Sequence, residues 1–381
     1  MLSCQRHRFS LPDDVHYLNA AYMSPLPRPV AGAGRDAIDR LEAPVDLGPK
    51  DFFRDSDRVR RRFADLVGAD AGGVALVPAV SYGAAVVARN LDLAAGRKVV
   101  TVAGQFPSNV YPWRRLARER DAEVAVVRRP EPGAPDSWSD RLLEAVDGST
   151  GLVAVPQAHW TDGTLFDLQA VRERAREAGA ALVVDGTQTV GAHPFRVDEV
   201  RPDALLCAGY KWLLGPYSVG CAWLGPRLRD GVPLEETWIG RAGSEDFGGL
   251  VDYTDVYRDD ASRFDVGERS NFILVPMLAE ALGMLLEWGV EEVAARCRRL
   301  TSRVADGARS RGLEAPRAGE RCSNIVGLGL PEDYPVREAV EELARRRVHV
   351  SRRGSALRVS PHAYNDAADV QALLEGLDAV A

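Results

Sequence analysis

The sequence predicts an α/β protein: a large domain with a mostly parallel seven-stranded sheet sandwiched by helices, followed by a small C-terminal α/β domain. From residue 74 onward, short β-branched runs alternate with amphipathic stretches of helical length. Near-continuous apolar strands separated by helices belong to sheets covered on both faces. The alternation stops at a long helical region after residue 271 and then resumes on a smaller scale. A chain of 381 residues is long enough for two cores of ordinary size.

The elements follow in order. Residues 1–20 form an N-terminal segment, and Pro25, Pro27 and Pro29 keep the next stretch irregular before helices begin, the clearest at 51–67. Strands are predicted at 74–77, 98–103, 123–127, 152–155, 181–184, 204–207 and 219–223, with helices at 81–91, 108–120, 138–146 and 167–178 between them. These lie in a large domain, 21–270, whose ligands should collect at the carboxyl ends of the strands. Residues 271–381 supply a linking helix and the small domain. Leu274, Leu278, Leu282 and Leu285 recur at helical spacing and predict one long helical region towards Gly312. Strands at 324–328, 348–351 and 356–359 and helices at 336–345 and 366–381 complete the chain.

Composition closes several functions. With 48 Lys+Arg against 55 Asp+Glu, the net charge is −7 and no basic block exists for a nucleic acid. No run approaches the ~18 apolar residues of a membrane span. Cys4, Cys207, Cys221, Cys297 and Cys322 are scattered without C-x-x-C spacing, as expected of a reduced, cytoplasmic protein with no metal site. Among the cations, only Lys50, Lys98 and Lys211 are lysines. Codon usage rich in G and C explains their scarcity but not their placement. Arg stays charged, whereas a buried Lys can become a nucleophilic amine.

Lys211 lies in Cys207-Ala-Gly-Tyr-Lys-Trp-Leu-Leu-Gly-Pro216, just past an apolar strand and away from other charges. Burial there lowers the pKa of an amine and suits it to Schiff-base formation with an aldehyde. The competing reading is a lysine whose stem packs on the core while its head reaches solvent. Asp185 ends the run Ala-Ala-Leu-Val-Val-Asp at the carboxyl edge of another strand, 26 residues earlier. Pyridoxal 5′-phosphate (PLP) needs both groups: a lysine for its aldehyde and an acid that keeps its pyridine nitrogen protonated. Asp also serves structurally in turns. A phosphate site is expected near Ser81, where a strand and turn lead into a helix whose free N–H groups attract anions, although Ser is also a common helix cap. No G-x-G-x-x-G or P-loop pattern competes with it.

Asp185-Gly-Thr-Gln188 followed by Gly209-Tyr-Lys-Trp-Leu-Leu-Gly-Pro216 resembles the class V aminotransferase superfamily of fold-type I PLP-dependent transferases, which includes cysteine desulfurases, isopenicillin-N-epimerase-like proteins and kynureninase. The similarity runs from Tyr17-Leu-Asn-Ala-Ala21 to Leu357-Arg-Val-Ser-Pro-His-Ala-Tyr-Asn365. It implies that Lys211 is the Schiff-base lysine and moves protons at the substrate Cα, that Asp185 pairs with the pyridine nitrogen, and that Gln188 meets the ring hydroxyl. In the kynureninase-like Gln105-Phe-Pro-Ser108, Phe106 would lie against the cofactor ring. Val80, Ser81 and Tyr210 would hold the phosphate, with Trp160 and Thr161 beside the cofactor and Trp238 reaching the phosphate of a neighbouring subunit in a homodimer that shares its active sites. Arg358 would take the carboxylate of a small amino acid substrate, with Asn19 and His159 lining its pocket.

The chain also departs from the family pattern. His159 and Trp160 stand where relatives offer an Asn, and Ala208 stands where many have a phosphate-binding Ser. Residues 351–357 correspond to the loop that bears the persulfide cysteine of desulfurases, yet hold none, and Ser355 cannot replace a thiolate. Cys322, the nearest, opens a predicted strand. Transamination is the expected reaction, and a lyase reaction by β- or γ-elimination or side-chain cleavage is the alternative. A catalytically inactive PLP-fold binding protein would lack Lys211 or Asp185, and both are present.

Overall fold

The computed structural model describes all residues except 1, 132–133, 331–335, 355 and 380–381. Strands β1 (Val74–Val77), β2 (Lys98–Val102), β3 (Glu123–Val127), β4 (Thr150–Pro156), β5 (Ala181–Asp185), β6 (Ala204–Ala208) and β7 (Gly220–Leu224) form one sheet in the order β1-β7-β6-β5-β4-β2-β3. β7 alone runs antiparallel to its neighbours, and the remaining pairs are parallel.

Successive side chains of a strand point to opposite faces, so a strand apolar at every position feeds two cores. In β5, Leu182 and Val184 join the cluster on one face and Ala181 and Val183 the cluster on the other. The first cluster is closed by α2 (Asp51–Val67), α5 (Trp138–Ala145), α6 (Leu168–Glu177) and α7 (Leu274–Trp288), after α1 (Arg28–Glu42), whose Val30 also joins it. The second is closed by α3 (Val80–Asn90) and α4 (Tyr111–Glu119). One buried carboxylate fastens this domain across its width. Asp265 accepts from the Arg60 guanidinium of α2, from Arg269 at 2.6 Å and from the Leu76 N–H of β1 at 2.7 Å.

The small domain packs β8 (Val326–Gly329), β9 (Ser351–Arg353) and β10 (Ala356–Val359), antiparallel in the order β9-β10-β8, against α8 (Val290–Arg309), α9 (Val336–Arg345) and α10 (Ala367–Asp378). The N-terminal segment is stitched into it: His16–Tyr17 pairs in parallel with Val348–His349, and Leu18 lies in the same core.

Several boundaries differ from expectation. The long helical region breaks at Gly289, whose φ of 75° ends α7 and starts α8 on a new axis. The strand expected at 348–351 divides, since Val348–His349 pairs with the N-terminal segment and β9 turns to β10. The strand expected from 324 starts at Val326, because the Asn324 side chain donates to the Gln188 carbonyl at 2.9 Å. Cys322 therefore precedes the strand. The helix expected at 108–120 is a turn at Pro107–Asn109 followed by α4. The last helix begins after Asp366, which caps the Ala368 and Asp369 N–H groups, and the final two residues of the expected span lie outside the described residues.

Candidate active site

Parallel strands bring their carboxyl ends to one edge, and a cavity of about 410 Å³ opens there. Its wall is built from the segments after β1 (Pro78, Ala79, Val80), β2 (Gln105, Phe106), β4 (Trp160), β5 (Asp185, Gln188) and β6 (Tyr210, Lys211), and from Tyr217–Val219 ahead of the antiparallel β7.

The turn that carries Lys211 is tightly seated. A Cβ on Gly209 would collide with the Val219 carbonyl, so only glycine lets this turn lie against the start of β7. Leu214, buried in the same turn, adopts a φ of 57°, a left-handed conformation uncommon for leucine and held by its surroundings. Lys211 is 6% exposed. Its Nζ lies 5.4 Å from the Phe106 ring centroid and 5.5 Å from that of Tyr210. No described residue accepts a hydrogen bond from it. Burial, joined by the positive charge of Arg358 and Arg353, lowers its pKa to about 8 against the opposing pull of Asp185.

Asp185 is buried at the end of β5, and burial raises its pKa despite hydrogen bonding to Thr187. Its Oδ1 accepts from the Thr187 N–H at 2.9 Å. Thr187 in turn accepts from the Ala208 N–H at 3.2 Å through its hydroxyl, tying the loop after β5 to the end of β6. At the other side, α3 begins behind Ala79, an extended residue with no side-chain cap. The Tyr82 and Gly83 N–H groups return to the Ala79 carbonyl, while those of Val80 and Ser81 have no protein acceptor. An unpartnered amine, a buried carboxyl and an uncapped helix start on one cavity therefore fit the aldehyde, pyridine nitrogen and phosphate of PLP.

The remaining expected residues are distributed unevenly. Gln188 lines the cavity, with its amide fixed by the Ala21 carbonyl at 3.3 Å and Trp212 Nε1 at 3.1 Å. Phe106 and Trp160 line it edge to face, centroids 5.5 Å apart, with the indole N–H held by the Gly104 carbonyl at 2.7 Å. Ser81 exposes its side chain outside the wall, so its position offers a backbone N–H instead. His159 and Thr161 lie behind the wall. They bond each other at 2.7 Å, the His159 Nε2 approaches the Ala103 carbonyl at 3.1 Å, and burial lowers the imidazole pKa, so this histidine braces β2 against β4 rather than lining a substrate pocket. Asn19 accepts from Ser351 at 2.6 Å, at the seam with the small domain. Trp238 lies off the wall in an aromatic cluster with Phe52 and Phe247, 40% exposed.

Arg358 is 1% exposed on β10 and donates to the Trp160 carbonyl at 2.8 Å. Its Nε and Nη2 have no partner. Burial, then repulsion from Arg353, lowers its pKa to about 9. Sequence reasoning missed Thr187, Tyr217, Ser218 and Arg353. Thr187 lies inside the Asp-Gly-Thr-Gln motif, and Tyr217 meets Tyr210, ring centroids 4.5 Å apart and tilted, only through the fold of the turn.

Among the described residues, no three His, Cys, Asp or Glu side chains gather as metal ligands, and no helix is long and apolar enough to cross a membrane. All five cysteines are free and none lines the cavity; burial raises the Cys322 thiol to about 11.

The sequence matches the aminotransferase class-V family over residues 49–373. It is 28% identical to the uncharacterized aminotransferase YcbU of Bacillus subtilis, across 91% of this chain and 90% of that one. It is 24% identical to a probable cysteine desulfurase of Methanothermobacter thermautotrophicus, across 99% and 97%. Its fold superposes on a C-DES mutant with glycine covalently linked to the PLP cofactor with a TM-score of 0.90 at 17% identity, covering 99% of this chain and 100% of that one.

Proposed function

The chain belongs to the class V aminotransferase family, and from that premise we propose that it transfers the amino group of an amino acid whose α-carboxylate is held by Arg358. Family membership makes it a PLP-dependent enzyme, an aminotransferase or a lyase. PLP, when bound through its aldehyde to an amine, supplies an electron sink that acidifies the bonds at the substrate Cα.

The residues divide the work. Lys211 binds the aldehyde and afterwards carries a proton to and from the substrate Cα. Asp185, anchored by Thr187, faces the pyridine nitrogen, and Gln188 offers its second amide hydrogen to the ring hydroxyl. The Val80 and Ser81 N–H groups and Tyr210 hold the phosphate. Phe106 supplies an apolar face, and Trp160 stands edge to face against it, so that together they exclude water. Arg358 presents two free donors on one side of its fork, which suits a carboxylate. Trp238, exposed beside Phe52, is our candidate contact to the phosphate of a second copy in a homodimer.

The observation that carries transamination over elimination is that Lys211 is the sole amine or imidazole on the cavity wall among the described residues. One base on one face suffices to move a proton between the two carbons that flank the substrate nitrogen. Elimination asks in addition for an acid at the leaving group, and of the two phenols on the wall Tyr210 is assigned to the phosphate, which leaves Tyr217 alone. Sulfur transfer through a cysteine persulfide has no thiolate at the cavity.

The test is single-turnover chemistry on the yellow holoenzyme with an amino acid panel. Accumulation of pyridoxamine phosphate with one equivalent of keto acid supports transamination. Catalytic release of ammonia without the pyridoxamine form rejects it in favour of the lyase reading.

A further inference from the structure

Beside Arg358, a second arginine approaches the same wall residue, Trp160. β9 and β10 form a hairpin in which Ser351 opposes Arg358 and Arg353 opposes Ala356. Arg353 and Arg358 are thus diagonal neighbours on one face of the hairpin. Both guanidiniums address the Trp160 ring of the cavity, Arg353 at 5.4 Å and Arg358 at 6.0 Å from its centroid.

Neither guanidinium forms an ion pair among the described residues, although nearby Arg129 pairs with Asp162 at 2.5 Å. Arg353 is half-buried and donates from Nη1 to the Arg352 carbonyl at 2.6 Å, but its Nε, like the Nε and Nη2 of Arg358, is buried without an acceptor. The cavity wall itself carries one amine, Lys211, and one carboxylate, Asp185, while Arg353 and Arg358 stand outside that wall and reach it at Trp160. Mutual repulsion acts in the same sense, since Arg353 lowers the pKa of both Arg358 and Lys211. Buried donors of one sign without partners mark the place of an anionic ligand. One α-carboxylate answers Arg358 and leaves Arg353 unanswered.

We propose that Arg353 and Arg358 together select an α-amino acid with a second carboxylate on its side chain, Arg358 taking the α-carboxylate and Arg353 the distal one. This rests on the reading that Arg358 binds the substrate carboxylate. Trp160, held by the Gly104 carbonyl at 2.7 Å, is the cavity residue that both guanidiniums approach. The specificity lies in a charge and a donor fork, because an amide of the same shape supplies neither the charge nor a second acceptor oxygen.

The experiment is a visible-absorbance titration of the PLP holoenzyme with aspartate, glutamate, asparagine and glutamine, which reads binding independently of turnover. The wild type should bind at least one of the acids tighter than its amide by about tenfold or more, a typical margin for a charge-assisted bidentate pair. Arg353→Gln should bring that ratio close to one, and Arg353→Lys, which keeps the charge without the fork, should retain part of it. A wild-type ratio near one, or a ratio that survives in Arg353→Gln, overturns the assignment. The pyridoxamine phosphate formed in the same cuvettes is scored separately. An acid preference lost in Arg353→Gln supports the specificity whichever reaction follows, and only the pyridoxamine signal bears on transamination.

Discussion

Lys211 is surrounded by rings and guanidiniums, and its amine therefore gives up its proton more easily than a solvent-exposed one. With a pKa lowered to about 8, the unliganded amine is protonated below that value and free to attack an aldehyde above it. The rate at which cofactor-free protein captures PLP should therefore rise with pH through about 8 and level off beyond it, as followed by stopped-flow absorbance. Lys211→Arg preserves the charge and abolishes the nucleophile. Borohydride should then fix no cofactor to the chain, and turnover should fall by at least about a thousandfold, the scale on which loss of a covalent and acid–base group acts. Lys211 and Asp185 could be read from the sequence because each is a polar residue at the end of an apolar run. Arg353 could not be read, since 48 cations include only three lysines and no motif separates one arginine from the rest. His159 misled for the opposite reason: it follows β4, but its ring turns inward to Thr161 and the Ala103 carbonyl.

At the scale of elements, the start of α3 exchanges helix stability for anion binding. Ala79 has the extended backbone of an N-cap, φ −160° and ψ 157°, without an oxygen to offer the helix. Ala79→Asp should stabilise the cofactor-free protein by about 1 kcal/mol in a urea titration, the usual value of a cap. The same carboxylate would occupy the N–H groups assigned to the phosphate and repel it, so PLP affinity should fall by about tenfold or more, equivalent to about 1.4 kcal/mol. Unchanged affinity in Ala79→Asp would remove the phosphate from this helix start. The strands were legible because β4, β5 and β7 are apolar on both faces. The break at Gly289 was hidden by a leucine repeat that reads equally well as one helix or two. The division of 348–351 depended on a partner more than three hundred residues away, which local pattern does not report.

Across the whole molecule, Asp265 is the carboxylate on which α2, β1 and the segment after it converge. Asp265→Ala would leave Arg60 and Arg269 buried without a counter-charge, and should destabilise the fold by about 3–5 kcal/mol, measurable by chemical denaturation. Because the Leu76 N–H loses its acceptor as well, the end of β1 should loosen and PLP retention should weaken in the same variant. The hairpin of the small domain also reaches the cavity of the large one, where the Arg353 and Arg358 guanidiniums lie over the Trp160 ring. The stitching of residues 16–18 to 347–349 sets an order of events during synthesis. That segment is synthesised more than three hundred residues ahead of its parallel partner and cannot pair until the partner has emerged. Until then Leu18 lacks its core while the large sheet can already form, so this pairing is a late, long-range closure, slow by the entropy of so large a loop and open to capture by chaperones.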